Sequence, residues 1–157
     1  GIADALRLAE DFADGGKIAV VLGDNIVERS IGGAVAAYRA QKRGARILLK
    51  QVPDPERFGV PVFADGQIVR IEEKPKNPPS NYAVTGIYMY DSQVFKFIKG
   101  LSPSDRGELE ITDVNNLYIR QGNLTWSLLE GWGTDAGTFD ALLTASNLVA
   151  GGGANNG

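Results

Sequence analysis

Residues Ile18 to Leu22 form an unbroken apolar run with a helical pattern on each side. Five apolar residues without a polar position between them predict a strand buried on both faces. Upstream, Ile2, Leu6, Ala9 and Phe12/Ala13 recur at helical spacing and stop before Gly15-Gly16, which predicts one amphipathic helix. Downstream, Ser30 is placed to cap a second helix in which Ala34, Ala37, Tyr38 and Gln41 share a face, with Gly44 ending it. A buried strand between helices needs cover on both faces, which points to a layered α/β body.

The rest of the chain repeats this alternation. Ala45 to Val52 reads as a strand closed by the Pro53/Pro55 turn, and Asp65-Gly66 joins 60–63 to 67–73 as a hairpin. The stretch "YAVTGIYMYD" is rich in β-formers and predicts a strand, after which Ser92 caps a short helix over 93–98. A helix from about Glu110 to Arg120, a strand from Asn123 to Leu129 and a last helix opened by Thr138 and reaching about Val149 complete the body. The expected fold is α/β, a three-layer sandwich around a mixed, mostly parallel sheet. One domain spans residues 1–150, and "GGGANNG" over 151–157 has no apolar content and reads as a disordered tail. The chain opens at Gly1 directly in a helical pattern, as the interior of a longer protein does.

The residue inventory limits the chemistry. With 157 residues, 43% hydrophobic and 22% charged, the chain can bury a sizeable core, and a net charge of −3 gives no reason to expect nucleic acid or a membrane surface as partner. No apolar run approaches the roughly 20 residues of a spanning helix, and no signal peptide is visible. Cysteine and histidine are both absent. That removes disulfides, thiolate chemistry, Ser-His-Asp systems and His-rich zinc sites, and it favours a cytoplasmic home. What remains is carboxylates, Lys, Arg, hydroxyls, backbone amides and a hard cation on oxygen ligands.

Four stretches could carry such chemistry. In "VLGDN" the strand runs into Asp24 and Asn25, which either make ordinary turn contacts or stand at the ligand-binding end of an open sheet. In "EEKP", Glu72 to Pro75, a Glu-Lys pair can hold a sugar hydroxyl and a phosphate, or simply end a solvated strand. In "DRGELEITD", Arg106 before a helix can meet an anion, whereas Glu108 and Glu110 equally complement the helix dipole. In "GWGTDAGT", glycines around Asp135 allow close backbone approach and Trp132 offers a stacking surface. Asp135 is either a turn residue or the second carboxylate of a Mg²⁺ site begun by Asp24, since Mg²⁺ takes one or two protein carboxylates plus phosphate oxygens.

Together, "LGDN", "FGVPVF", "EEKPKNPPSNYAVTGIYMYD", "RGELEITDVNNLYI" and "WGTDAGT" resemble the sugar-phosphate nucleotidyltransferases, in the branch that uses glucose 1-phosphate and dTTP. The resemblance covers Gly1 to about Val149 and implies a nucleotide-diphospho-sugar transferase-like fold. It implies that a sugar 1-phosphate attacks the α-phosphorus of a nucleoside triphosphate, giving NDP-sugar and pyrophosphate. By match to the family's blocks, Asp24 and Asp135 hold Mg²⁺ and form the catalytic set with Arg106. Glu73, Gly59 and Val84 bind sugar hydroxyls, Lys74 and Arg106 face the sugar phosphate, Glu108 and Trp132 line the same pocket, and Asn25 lies beside the metal. Gly1 matches a glycine near the nucleotide base.

The family's G-x-G-T-R-L loop, which cradles the triphosphate through backbone amides and cationic side chains, does not occur in these 157 residues. The expectation is therefore a truncated domain, the C-terminal, sugar-binding portion, with the nucleotide-binding part missing and little activity alone. The alternative is a non-catalytic sugar-phosphate-binding or oligomerisation module. A strand at Ile18 to Leu22 that has lost a neighbour exposes an apolar edge, and a homo-oligomer or a rearranged first helix is expected to cover it.

Overall fold

A computed structural model describes residues 1–154. Along the chain run α1 (Ile2–Arg7), α2 (Glu10–Ala13), β1 (Ile18–Val21), β2 (Asn25–Val27), α3 (Gly32–Ala40) and β3 (Ala45–Gln51). The hairpin β4 (Gly59–Ala64) and β5 (Gln67–Glu73) follows, then β6 (Tyr82–Tyr90), α4 (Gln93–Lys99), α5 (Ile111–Arg120), β7 (Leu124–Leu128), β8 (Gly133–Asp135) and α6 (Phe139–Gly152).

The main sheet has the order β1-β6-β3-β7. β6 runs antiparallel to β1 and to β3, and β3 runs parallel to β7. The sheet is mixed, as expected, but parallel pairing is confined to β3–β7, so the expectation of a mostly parallel sheet is corrected. Two layers of helix complete the sandwich. On one face Leu6 of α1, Val94, Phe95 and Ile98 of α4 and Val114 and Tyr118 of α5 pack over Ile47, Leu49, Tyr88 and Tyr90. On the other, Tyr38 of α3 covers Leu48, Ile87 and Met89. Alternate residues of β3 and β6 thus face opposite layers, which is why both strands are apolar on both sides.

Among the described residues β1 is an edge strand paired only with β6, and Ala19 and Val21 are exposed. This corrects the reading of Ile18 to Leu22 as buried on both faces; the doubly buried strands are β3 and β6. An apolar run reports what a strand can bury, not its rank in the sheet. The exposed edge itself is as expected, with Val21 at 52%. The first helix does not cover it, because α1 packs against α4 and α5 on a sheet face. The single helix expected over 2–13 is two, broken at Leu8 and Ala9, and Phe12 points to solvent instead of joining the apolar stripe.

Turn and cap chemistry follows the sequence closely. Asp65 (φ 49°) and Gly66 (φ 74°) make the β4–β5 turn with two successive left-handed residues, as a two-residue hairpin requires. Thr138 Oγ1 accepts the Ala141 N–H at 3.2 Å and caps α6. Ser92, by contrast, makes no cap bond, and Asp91 Oδ1 accepts the Gln93 N–H at 3.1 Å instead. α6 extends through Gly152, past the expected end at Val149; residues 155–157 of the expected tail lie outside the described residues.

Candidate functional site

A cleft of about 950 Å³ opens beside the sheet, a volume within the usual range for small-molecule sites. Its lining comes from segments spread along the chain: Asp24 and Asn25, Gly59 on β4, Glu73 at the end of β5 and Lys74 after it, Val84 to Gly86 and Tyr88 on β6, Arg106, Glu108 and Glu110 before α5, Asp135 on β8, and Thr144 and Leu148 on α6.

At one pole stand Asp24 and Asp135. Two strands too short to show a periodicity bring them together: β2 and β8 pair antiparallel with Asn25 opposite Asp135. Asp24 O accepts the Ala136 N–H at 2.8 Å, tying the two loops one residue further on. Gly137 lies between the carboxylates, and a Cβ there would sit 3.3 Å from Asp24 Oδ2 and 3.5 Å from Asp135 Oδ1. The two side chains therefore face one small space that a glycine leaves open. Two carboxylates converging on such a space suit Mg²⁺, which completes its shell with water and phosphate oxygens. Among the described residues no cluster of three or more acids could hold a metal without such outside ligands. Asp24 also sits in a turn closed by the Asn25 N–H donating to Leu22 O at 3.0 Å, and its Oδ1 accepts the Asn25 Nδ2–H at 2.9 Å.

At the other pole, the antiparallel register places Gly59 opposite Glu73. Thr112 Oγ1 donates to Glu73 Oε2 at 2.5 Å, so one carboxylate oxygen is fixed. Arg106 reaches toward Glu73, Glu108 and Glu110 at 3.5, 3.5 and 3.7 Å. These are long, partly exposed contacts with little individual strength, and they leave the guanidinium free to take a better anion. Lys74 has φ 44°, a left-handed backbone that lysine rarely adopts, and its N–H donates to Phe58 O at 2.9 Å. On the floor, burial first, then the charges of Glu73 and Asp24, push the Tyr88 phenol up, so it remains a hydroxyl donor.

Nine of the site residues expected from the sequence line this cleft: Asp24, Asn25, Gly59, Glu73, Lys74, Val84, Arg106, Glu108 and Asp135. Two do not. Trp132 is drawn away because the β2–β8 ladder runs outward from Asn25–Asp135, and Glu28 holds Trp132 at its far end. The Trp132 N–H donates to Glu28 Oε2 at 2.7 Å, and its carbonyl accepts the Glu28 N–H at 2.9 Å. Three residues along a strand separate it from Asp135 by roughly 10 Å. Gly1 packs backbone to backbone on Leu109, behind Glu108, where a Cβ would meet Leu109 O at 2.5 Å. Sequence reasoning missed Thr112, Tyr88, Gly86 and Glu28. Thr112 and Tyr88 lay inside quoted blocks, but a hydroxyl within a helix or strand pattern carries no signal of its own.

The fold is that of the nucleotide-diphospho-sugar transferases. The crystal structure of apo-UDP-glucose pyrophosphorylase has the same fold, with a TM-score of 0.86 at 21% identity over 96% of this chain and 60% of that one. The profile of the family described as "Nucleotidyl transferase" matches residues 1–151, and the chain belongs to that family. Among its relatives, the glucose-1-phosphate thymidylyltransferase of Neisseria meningitidis serogroup A is 42% identical over 154 residues, which is 95% of this chain and 53% of that protein. The Mycobacterium tuberculosis H37Rv protein of the same name is 40% identical over 154 residues, again 95% and 53%. A provisionally assigned glucose-1-phosphate thymidylyltransferase from Bacillus anthracis, in complex with a sucrose, superposes with a TM-score of 0.89 at 55% identity, covering 94% of this chain and 60% of that one. The chain thus spans about half the length of the curated relatives it matches. The match lies in the N-terminal part of the homologues, which corrects the expectation of a C-terminal portion. Block order along a chain does not report where the blocks sit in a longer one.

Proposed function

We propose that the cleft binds a sugar 1-phosphate and serves transfer of a nucleotidyl group to it, with glucose 1-phosphate and dTTP as the substrates. Support comes chiefly from one observation: paired carboxylates at one pole of the cleft stand across from a Glu-Lys-Arg set at the other. In this reading Glu73 accepts from sugar hydroxyls beside Gly59 and Val84, and Lys74 and Arg106 neutralise the sugar phosphate. An oxygen of that phosphate forms a bond to the α-phosphorus as the bond from the α-phosphorus to the β-bridging oxygen breaks, and pyrophosphate leaves. Such an in-line displacement needs positioning and charge stabilisation rather than a covalent nucleophile, so a chain without His or Cys is suited to it. Asp24 and Asp135 are the residues that would hold Mg²⁺, which supplies charge neutralisation for phosphoryl oxygens when bound. Glu108 supports Arg106, and Gly1 and Trp132 have indirect parts behind the cleft.

The G-x-G-T-R-L loop that cradles a triphosphate is not among the 157 residues, and the same reading therefore expects little pyrophosphate from this chain alone. A second reading, an oligomerisation module, draws support from the exposed edge of β1 at Val21. Calorimetric titration with glucose 1-phosphate separates the two. The first expects saturable binding, weakened about tenfold or more by Arg106→Ala and by Lys74→Ala, because a charge-assisted hydrogen bond contributes on the order of 1.5–3 kcal/mol. No binding by a chain that sediments as a dimer would favour the second.

A further inference from the structure

The acceptor and donor of one side-chain amide join the central strand to the acid at the cleft. Between the pairs Ile47–Tyr88 and Leu49–Val84, β3 advances two residues while β6 advances four. This bulge leaves Thr85 to Ile87 opposite Leu48, and Thr85 Oγ1 donates to Leu48 O at 3.0 Å. Bulges re-aim backbone and side chains beside functional sites. Here both backbone groups of Gly86 turn to the segment carrying Asp24: its carbonyl accepts the Leu22 N–H at 2.9 Å, and its N–H donates to Asn25 Oδ1 at 3.0 Å. Asn25 Nδ2 donates in turn to Asp24 Oδ1 at 2.9 Å. That leaves Asp24 Oδ2 as the oxygen facing Gly137 and Asp135.

We propose that Asn25 is a positioning residue: locked on the Gly86 N–H, it orients the Asp24 carboxylate so that Oδ2 points at the Asp135 side for a divalent cation. The proposal rests on the reading of Asp24 as a metal ligand. Asparagine is suited to the task because its amide accepts on one side and donates on the other. Aspartate would set a second acceptor against the Asp24 carboxylate. Position 86 must be glycine for the same reason. A Cβ there would lie 2.5 Å from Asn25 Nδ2 and 2.8 Å from its Cγ and Oδ1, displacing the amide. Groups that orient a metal ligand commonly matter almost as much as the ligand.

The test uses the full chain and Mn²⁺ alone, with free Mn²⁺ read by electron paramagnetic resonance, Gly86 amide exchange by NMR, and melting temperature. Asn25→Ala should weaken Mn²⁺ binding about tenfold or more and speed Gly86 amide exchange. Gly86→Ala should lower both affinity and melting temperature. In the Asn25→Ala/Gly86→Ala double variant, the emptied amide site accepts the new methyl group. Melting temperature should then recover, while affinity stays at the level of Asn25→Ala. Wild-type affinity in Asn25→Ala, with binding lost in Asp24→Ala, overturns the proposal alone, as do additive losses in the double variant. Equal binding by the wild type and Asp24→Ala overturns the metal reading and the proposal with it.

Discussion

Lys74 shows how one residue can be placed for chemistry against its own backbone preference. Its φ of 44° lies in the left-handed region, and it precedes Pro75, which further restricts it. Strain of this kind costs of order 1–3 kcal/mol and collects at functional sites. A glycine takes the same dihedral without penalty, though it gains more freedom in the unfolded chain. Lys74→Gly should therefore be more stable than Lys74→Ala by about 0.5–1 kcal/mol in denaturant titration, while both lose glucose 1-phosphate affinity alike. Equal stability of the two variants would show that the backbone there is unstrained. The "EEKP" motif made Lys74 visible in the sequence, but its strained φ was not, because nothing in residue order reports a left-handed lysine.

At the scale of elements, α5 ties the sugar pole to the core. Val114 and Tyr118 anchor it, Thr112 holds Glu73, and Asn116 pairs with both backbone groups of Ile71 at 2.8 and 2.9 Å. Asp113 sits on the same helix, where burial first and the Glu110 charge second push its carboxyl up, against a smaller opposing effect of Arg120. The folded chain thus holds this proton more tightly than the unfolded chain. Stability from this group is fully present below the ordinary aspartate value of about 3.9 and declines as pH rises through the higher folded value. Asp113→Asn should raise the denaturation midpoint at neutral pH and remove that decline; an unchanged pH profile would exclude the effect. The helix and β6 were legible from periodicity and β-former content. The β2–β8 ladder was not, since three residues per strand are too few to show a period. That ladder is what makes neighbours of Asp24 and Asp135, so the metal pole was legible as two residue types but not as a pair. Trp132 was misplaced for the same reason.

Across the whole molecule, the layers and the cleft follow from a few long apolar segments, whereas the rank of β1 depends on what lies beside it and cannot be read from its own residues. The blocks of sequence that resemble sugar-phosphate nucleotidyltransferases form the walls of one cleft, with two carboxylates at one end and a Glu-Lys-Arg set at the other. In the proposed function these two ends act on one bound phosphate. The ³¹P resonance of glucose 1-phosphate, recorded with the full chain and a trace of Mn²⁺, tests it directly, because paramagnetic broadening falls steeply with distance. Strong broadening with the wild-type chain, abolished by Asp135→Ala and by Arg106→Ala, is the predicted result. Broadening that is no greater than with Mn²⁺ and sugar phosphate alone would contradict it.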